Sequence, residues 1–546
     1  MVNKRYWMFV KRYMLFPSKK NFVGILFIVV VQCILNLLIP QFYKEIIDNA
    51  MEQKSIQVFI LLVSLMAFSF ILVSVLSVLK DYLLSKMAET LAVRLRNKIN
   101  KKISLVKYGA LEKYDLSEII ARYNKEIDVI KGNIGNCFVK LFSNVISLFL
   151  AGIMIVLYDW KILLATVLII CIYINMNKFW GRKLKKYSQK IMKYNVEAVE
   201  CISESYKNVI TTRMYGLYEY VTKRFEDAYN KQYRAQVFYD LSCSANLNIG
   251  VLLIQLLGCV VWAIGGYSVF IGKSTLGSIT ALLNYQSMLL SPINFLCQFN
   301  NGYQATINAI ERIEEIFALP DEELDKCLEV PQPIKKISIR NLCFSYEGGK
   351  SILNNVNLEF HSNNITAIMG LSGCGKTTLI KVLLGFYSFN EGKIKFNDVD
   401  MDTSGLICAR KKIAYVEQET CFFKGTLIDN LIISGVDDKG KFIEIAKEFD
   451  LYDEIVQMPD MMNTQLASGA TNLSVGQRKR LDFMRAFATE KEIIIMDEPT
   501  AALDSDRRKR LYNYLQSIKK NKIIIVITHN TEENDYFDKI IYLDKK

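Results

Sequence analysis

The sequence predicts two architectures in one chain: an all-α membrane domain of six spanning helices, then an α/β domain of the P-loop kind. Three observations carry this expectation. Six apolar stretches, at about 22–42, 57–79, 135–157, 161–178, 247–270 and 276–298, are each long enough to cross hydrocarbon. Downstream, Gly370-Leu-Ser-Gly-Cys-Gly-Lys-Thr-Thr378 lies between a strand-like run, Asn364–Met369, and a helix-like run, Leu379–Leu384. The net charge of +13 is also divided unevenly: residues 331–546 hold 30 Lys/Arg against 29 Asp/Glu, so nearly all of the excess lies in the first 330.

Composition agrees with such a mixture. Apolar residues make up 51% of the 546, and mean hydropathy is +0.17. The twelve cysteines are scattered without a CxxC pair, which argues against a disulfide framework and against a zinc site. Cys33, Cys137, Cys171 and Cys259 sit inside apolar runs and are expected to act as small buried hydrophobes in a reducing or lipid setting. The basic excess alternates with apolar runs, so it points to a membrane surface and away from nucleic acid.

Residues 1–20 read as a basic amphipathic helix on the membrane surface, with Lys4, Arg5, Lys11, Arg12, Lys19 and Lys20 set among Trp7, Phe9, Val10 and Tyr13. A signal peptide is the rival reading, but no small-residue cleavage site follows. The membrane domain is expected over 21–320. About 55 residues separate the second and third stretches, and about 70 the fourth and fifth. Both long connections are rich in Lys and Arg, which places them and both termini in the cytoplasm. They have helical periodicity and no Pro, with interruptions at Tyr108–Tyr114 and Ser203–Thr212. These interruptions are expected to be distal turns that touch the nucleotide-binding domain. Uncharged polar residues inside the spans, Gln32, Asn36, Asn246, Asn248, Gln255, Asn284, Gln286 and Asn294, serve equally as helix–helix glue or as the lining of a cavity. Pro331 and Pro333 close a linker over 321–334, and the second domain covers 335–546.

Within that domain the chemistry is carried by residue types at strand ends. Glycines allow backbone N–H groups to converge on a polyanion, and the following helix N-terminus adds positive potential. Lys376 can then reach β- and γ-phosphates, and the Thr377 hydroxyl can ligate Mg²⁺. Tyr346, 30 residues before Lys376, is an aromatic that can stack on adenine. Ile413-Ala-Tyr-Val-Glu-Gln418 reads as a strand ending in a loop with Gln418, whose amide can ligate Mg²⁺ or hold water. Leu473-Ser-Val-Gly-Gln-Arg-Lys-Arg480 opens a helix that Ser474 can cap. Ile493-Ile-Ile-Met-Asp-Glu498 ends in two carboxylates, Asp497 suited to Mg²⁺ and Glu498 to polarising a water. Ile523–Thr528 runs into His529, one of only two histidines.

In this order the motifs resemble the nucleotide-binding domain of ABC transporters, and the whole chain is similar to an ABC exporter half-transporter. The resemblance implies a six-helix exporter-type transmembrane domain fused to an α/β ATPase domain with a helical subdomain. It implies ATP and Mg²⁺ as cofactors. Gly370, Ser372, Gly373, Cys374, Gly375, Lys376, Thr377 and Thr378 would bind ATP, with Tyr346 on the adenine. Thr377, Gln418 and Asp497 would hold the metal, Glu498 would be the catalytic base, and His529 and Gln418 would complete the catalytic set. Ser474, Gly476 and Gln477 would form the signature that meets the γ-phosphate of the opposite subunit. Asp504 would lie in the loop beyond the acidic pair. The partner would be a second copy or a related half-transporter.

Three departures from the family pattern stand out. Val475 replaces a glycine in the signature, and its β-branch crowds the backbone. Ser468 occupies the place of a glutamate that contacts the coupling helices. Pro499 follows Glu498 where exporters more often have Ala. The first span begins near residue 22 and no His precedes 361, so the sequence predicts no peptidase domain ahead of it. Export of an amphipathic cargo, with a small peptide favoured, is the expected activity. Lipid or multidrug export, siderophore-type import and a non-transporting regulatory ATPase are the alternatives. Ile-, Lys- and Asn-rich usage points to a bacterium, and so to the plasma membrane.

Overall fold

The computed structural model describes residues 8–15, 18–51, 55–323, 330–346, 349–371, 373–501 and 503–543; the side chains at 14, 15, 117, 134–138, 290, 291, 293, 294, 296–298, 300 and 301 lie outside the described set. The chain divides into two compact units. One comprises Met1–Asn100 and Leu116–Phe317, the other Lys101–Asp115 and Ala318–Lys546.

The first unit is helical. Its long elements are α1 (Lys19–Glu45) and α2 (Ile56–Leu105); after the short α3 (Tyr108–Leu111), which belongs to the second unit, and α4 (Leu116–Ala121) come α5 (Ile127–Tyr158), α6 (Trp160–Lys207), the short α7 (Val209–Met214), α8 (Tyr218–Phe270), α9 (Leu276–Met288) and α10 (Leu290–Ala318). Among the described residues five helices are long and apolar enough to cross a membrane. They contain the first five stretches expected from the sequence. The sixth, 276–298, is divided between α9 and α10, and the side chains of several of its last residues are outside the described set.

The interruption placed at Ser203–Thr212 is present at Asn208, between the end of α6 at Lys207 and the start of α7 at Val209. A second turn follows at Tyr215–Leu217, where Gly216 takes a φ of +63° that an L side chain rarely adopts. The cysteines differ from expectation. Cys33 is buried, but Cys171 and Cys259 are exposed on their helices, and Cys408 is disulfide-bonded.

Of the N-terminal surface helix, residues 1–7, 16 and 17 lie outside the described residues. Phe9 and Val10 are buried, and Lys98 Nζ donates to the Tyr13 hydroxyl at 2.5 Å. The polar residues of the spans act in several ways. Gln32 Nε2 donates to the Val73 carbonyl at 3.2 Å and to Ser77 Oγ at 2.8 Å. Asn246 donates to Asn177 Oδ1 at 2.9 Å, and Gln286 to the Ile254 carbonyl at 2.9 Å. These three join helices, as expected where lipid offers no competing partner. Asn248 and Asn284 bond within their own helices, Gln255 is exposed, and the Asn294 side chain is outside the described set.

The second unit holds two principal sheets. β1 (Lys336–Ser345), β2 (Ser351–His361), β4 (Glu391–Phe396) and β5 (Val399–Met401) form an antiparallel sheet in the order β2-β1-β4-β5. β3 (Asn364–Met369), β6 (Ile413–Val416), β9 (Ile493–Asp497), β10 (Ile523–Ile527) and β11 (Lys539–Tyr542) form a parallel sheet in the order β11-β3-β10-β9-β6. β9 and β10 are buried along their whole length. That is why they read as unbroken runs of Ile and Val without alternation. The helices of this unit are α11 (Lys376–Leu383), α12 (Thr403–Ala409), α13 (Leu427–Ile432), α14 (Lys439–Glu448), α15 (Tyr452–Val456), α16 (Val475–Phe487) and α17 (Ser505–Ile518). The short pair β7 (Gly425–Thr426) and β8 (Gln465–Leu466) lies among them. One core cluster joins Phe442, Phe449 and Ile455 of the helical part to Phe483 and Phe487 of α16.

Candidate functional site

Register in the parallel sheet gathers the expected residues at one edge. Ile527 of β10 pairs with both Ile368 of β3 and Asp497 of β9, and Val416 of β6 pairs with Met496. The chain therefore leaves four adjacent strands at the same level, into the loops carrying Gly370, His529, Glu498 and Gln418. The C-terminal edge of an open parallel sheet is where such folds hold ligands.

The phosphate loop turns on glycines. Gly375 caps α11 with φ +98°, and a Cβ there would lie 3.0 Å from both the Ile352 and Leu353 side chains. Gly370 has φ +155°, and a Cβ there would stand 2.5 Å from the Leu543 carbonyl. Lys376 is buried, and its Nζ donates to the carbonyls of Gly370 at 2.8 Å and Leu371 at 3.0 Å. An ammonium held inside its own loop can exchange those carbonyls for phosphate oxygens. Cys374 is buried beside it, with Sγ 3.9 Å from Nζ. Ser372 lies outside the described residues. Thr377 Oγ1 donates to Asp497 Oδ2 at 3.1 Å. Burial raises the Asp497 carboxyl, the Thr377 bond opposes that, and the net shift is upward. A hydroxyl beside a buried carboxylate is a hard oxygen pair of the kind Mg²⁺ prefers.

Glu498 sits in the left-handed region at φ +44°, and its N–H donates to the Ile527 carbonyl at 3.0 Å. A non-glycine residue held there is strained, as functional side chains often are. Its carboxylate is flanked on both sides: Gln418 Nε2 donates to Oε2 at 2.9 Å, and His529 Nδ1 lies 3.2 Å from Oε1. Two residues from two neighbouring loops thus hold one carboxylate that can accept a proton from water.

Tyr346 packs edge-on against Tyr387, centroids 5.2 Å apart, and its hydroxyl is 3.4 Å from Thr378 Oγ1. Ser474 is the N-cap of α16 in a capping box: its hydroxyl accepts the Gln477 N–H, and the Gln477 side chain accepts the Ser474 N–H. Gln477 Nε2 also donates to Glu454 at 2.9 Å. Val475 is exposed, so no packing within the chain demands its branched side chain. Asp504 caps α17 and pairs with Arg507 at 3.1 Å.

Two features escape sequence reasoning. Lys479, buried on α16, donates to the carbonyls of Glu417 at 2.6 Å and Gln418 at 3.3 Å. Burial pulls its ammonium below the ordinary lysine value, against the pull of Asp482, Asp497, Glu498 and Glu417. The second is the set of partners met by Tyr108–Tyr114, the turn expected to touch this domain. Tyr108 meets Phe386 and Tyr387, the Tyr387 hydroxyl donates to Glu112, and Lys381 of α11 lies 3.7 Å from the same carboxylate. Lys381 and Tyr387 belong to no motif; only their distance from Lys376 in sequence hints at them.

Comparison with known proteins agrees with this architecture. Residues 22–293 match the ABC transporter transmembrane region, and residues 353–501 match the ABC transporter ATPase family. The chain belongs to the ABC transporters and is built as an exporter-type half-transporter. It is 26% identical over 470 residues to the ATP-dependent lipid A-core flippase of Syntrophus aciditrophicus, covering 85% of this chain and 77% of that one. It is 29% identical to the lactococcin-G-processing and transport ATP-binding protein of Lactococcus lactis, covering 78% of this chain and 61% of that one. A putative multidrug export ATP-binding/permease protein of Bacillus subtilis is 23% identical over 559 residues, covering 100% and 94%. Among solved structures, a bacterial Atm1-family ABC exporter with ATP bound shares the fold at TM-score 0.80 and 20% identity, over 96% of this chain and 94% of that one. The protein is a membrane-embedded, ATP-driven translocase of the exporter kind, with its ATP-binding domain in the cytoplasm.

Proposed function

We propose that two copies of this chain close around ATP and use its hydrolysis to export an amphipathic peptide across a bacterial plasma membrane. The observation that carries the catalytic part is the Glu498 carboxylate held between Gln418 and His529. Lys376 and the loop N–H groups of 370–378 would bind the phosphates, and Tyr346 would stack on adenine. Thr377, Asp497 and Gln418 would hold Mg²⁺, which when bound neutralises charge developing on the phosphates. Glu498 would take the proton from the attacking water, with His529 and Gln418 fixing its orientation. Ser474, Gly476 and Gln477 of one copy would face the γ-phosphate bound by the other, and Asp504 would lie at the joint. Domain limits of 21–320 and 335–546, joined by the linker 321–334, suit this division of labour.

Pairing of two copies is supported by the turn after α6, where Tyr206, Ile210, Met214 and Tyr215 are exposed. Such apolar exposure on a cytoplasmic turn suits contact with a second chain. The peptide as cargo is supported by the uncharged amides of the spans and by the likeness to the lactococcin-G transporter. The likeness to the lipid A-core flippase makes lipid the second candidate.

Glu498→Gln tests the catalytic part. Hydrolysis by the purified chain should fall by about 10²–10⁴-fold, the range of a general base, while ATP binding persists. Wild-type turnover would refute the assignment. Inside-out vesicles containing this chain alone should accumulate a labelled amphipathic peptide when ATP is added; transfer of lipid between leaflets without peptide uptake would favour the second candidate.

A further inference from the structure

Two short connections of the helical unit, around 158–160 and 271–275, border an open cavity of about 490 Å³ at one end of the bundle. That is within the range of small-ligand sites, roughly 300–1,000 Å³. It belongs to none of the machinery described above, which lies in the other unit. Its walls come from the ends of α1, α5 and α8 and the starts of α6 and α9.

Charge on the cavity wall is unbalanced. Lys44 and Lys273 both line it, and neither forms an ion pair among the described residues. Lys44 Nζ lies over the Tyr158 ring at 5.2 Å, so it is held at the wall by an aromatic face with no carboxylate. The acids nearby accept backbone and hydroxyl donors, and the wall keeps one more cation than carboxylate. Asp159, also on the wall, caps α6 by accepting the Lys161 N–H at 2.9 Å. Asp48 accepts the Gly277 N–H at 3.0 Å and the Thr275 hydroxyl at 2.6 Å. Ser274 also lines the cavity, and the N-terminus of α9 beside it is already capped by Thr275 and Asp48. Two cations on one wall, facing a single carboxylate there, make a site for an anion.

The remaining walls say what the anion is attached to. Met154, Leu157, Ile279 and Leu282 continue the cavity along the apolar helices. Trp160 and Tyr267, both exposed, stand in the neighbouring turns, as such rings do at the level of lipid headgroups. A soluble anion would gain nothing from those apolar walls. We propose that this cavity binds the phosphate of an anionic phospholipid headgroup between Lys44 and Lys273, with the glycerol and first acyl carbons against the apolar walls.

The test is lipid binding to the purified full chain in detergent, followed by native mass spectrometry. The probes are short-chain phosphatidylglycerol, phosphatidylcholine of the same chain length, and inorganic phosphate. Phosphatidylglycerol should bind saturably, one per chain, and at least ten-fold more tightly than phosphatidylcholine. The Lys44→Ala/Lys273→Ala chain should lose that preference, while Lys44→Arg/Lys273→Arg keeps it. Lys273 is exposed on a turn, so Lys273→Gln alone, expected to weaken binding several-fold, keeps the test open if the double variant does not fold. Equal affinity for the two lipids, or an unchanged preference in Lys273→Gln and the double alanine variant, would overturn the site. Displacement of phosphatidylglycerol by an equal concentration of inorganic phosphate would overturn the lipid as its source.

Discussion

Lys479 Nζ donates to the Glu417 carbonyl at 2.6 Å, and so ties the helix capped by Ser474 to the loop that carries Gln418. The helical part of the ATPase domain and the edge of its sheet therefore share a buried ammonium. Lys479→Met keeps the stem and removes the charge. It leaves the Glu417 carbonyl without this donor and removes the cation facing Asp482. We expect a loss of roughly 1–3 kcal/mol in stability, the cost of orphaning a buried polar group. Hydrolysis should fall as well, because Gln418 loses its anchor. Chemical denaturation and steady-state ATPase rates of the same preparation check both.

Glu454 gives the signature helix a dependence on acid. Burial pushes its carboxyl up, but hydrogen bonds from Gln477 and Arg480 and the charges of Arg480 and Arg507 outweigh that, and the net shift is downward from 4.5. A depressed carboxylate contributes stability that is complete above its unfolded value and lost as pH falls through the folded one. Thermal melting from pH 7 down to pH 3 should show wild type losing stability below about pH 4.5, with Glu454→Gln losing less over that window. Parallel curves would remove Glu454 as the cause.

Removing the carboxylate outright is harsher. Arg480 is only 3% exposed on its side chain and meets Glu454 at 2.8 Å. Glu454→Ala leaves a buried guanidinium without its counter-charge, for which roughly 3 kcal/mol is expected. Glu454→Ala/Arg480→Met should recover part of it, since the orphaned charge is gone. A double-mutant cycle by urea unfolding measures the coupling.

Tyr108 and Glu112 reach the ATPase domain through Tyr387 and Lys381, and Tyr387 is edge-on to Tyr346. Tyr108→Ala removes two ring contacts, each worth about 0.5–1.5 kcal/mol, and no member of the nucleotide site. ATP hydrolysis should continue, and the number of cargo molecules moved per ATP should drop. The ratio of vesicle uptake to phosphate release is the measurement; an unchanged ratio would remove this contact from the coupling path.

Val475 projects from the first turn of α16 and is exposed. Val475→Gly should leave the melting temperature nearly unchanged, as expected for a surface substitution within about 0.5 kcal/mol. Turnover should rise several-fold if the branched side chain crowds the closed site, and steady-state ATPase rates on the purified chain will show it.

The amino-acid sequence by itself made the two-domain plan, the first five apolar helices and the site motifs legible. Each is a local pattern: apolar runs for lipid, Gly375-Lys376-Thr377 between strand and helix, and acids at the end of an unbroken Ile run. It also placed Ser474 as a cap, because capping depends on residues three apart. The tertiary structure decided what local pattern cannot encode. Register between β9 and β10 brings Glu498 to His529, and β6 beside β9 brings Gln418 to the other oxygen of the same carboxylate. Lys479, Lys381 and Tyr387 have partners 60 or more residues away in sequence, and no periodicity announces them. Lys44 and Lys273 look like ordinary loop lysines until the fold brings the ends of α1 and α8 to one cavity. Hydrogen bonds along a chain are written in spacing; those across it depend on which strands and helix ends become neighbours.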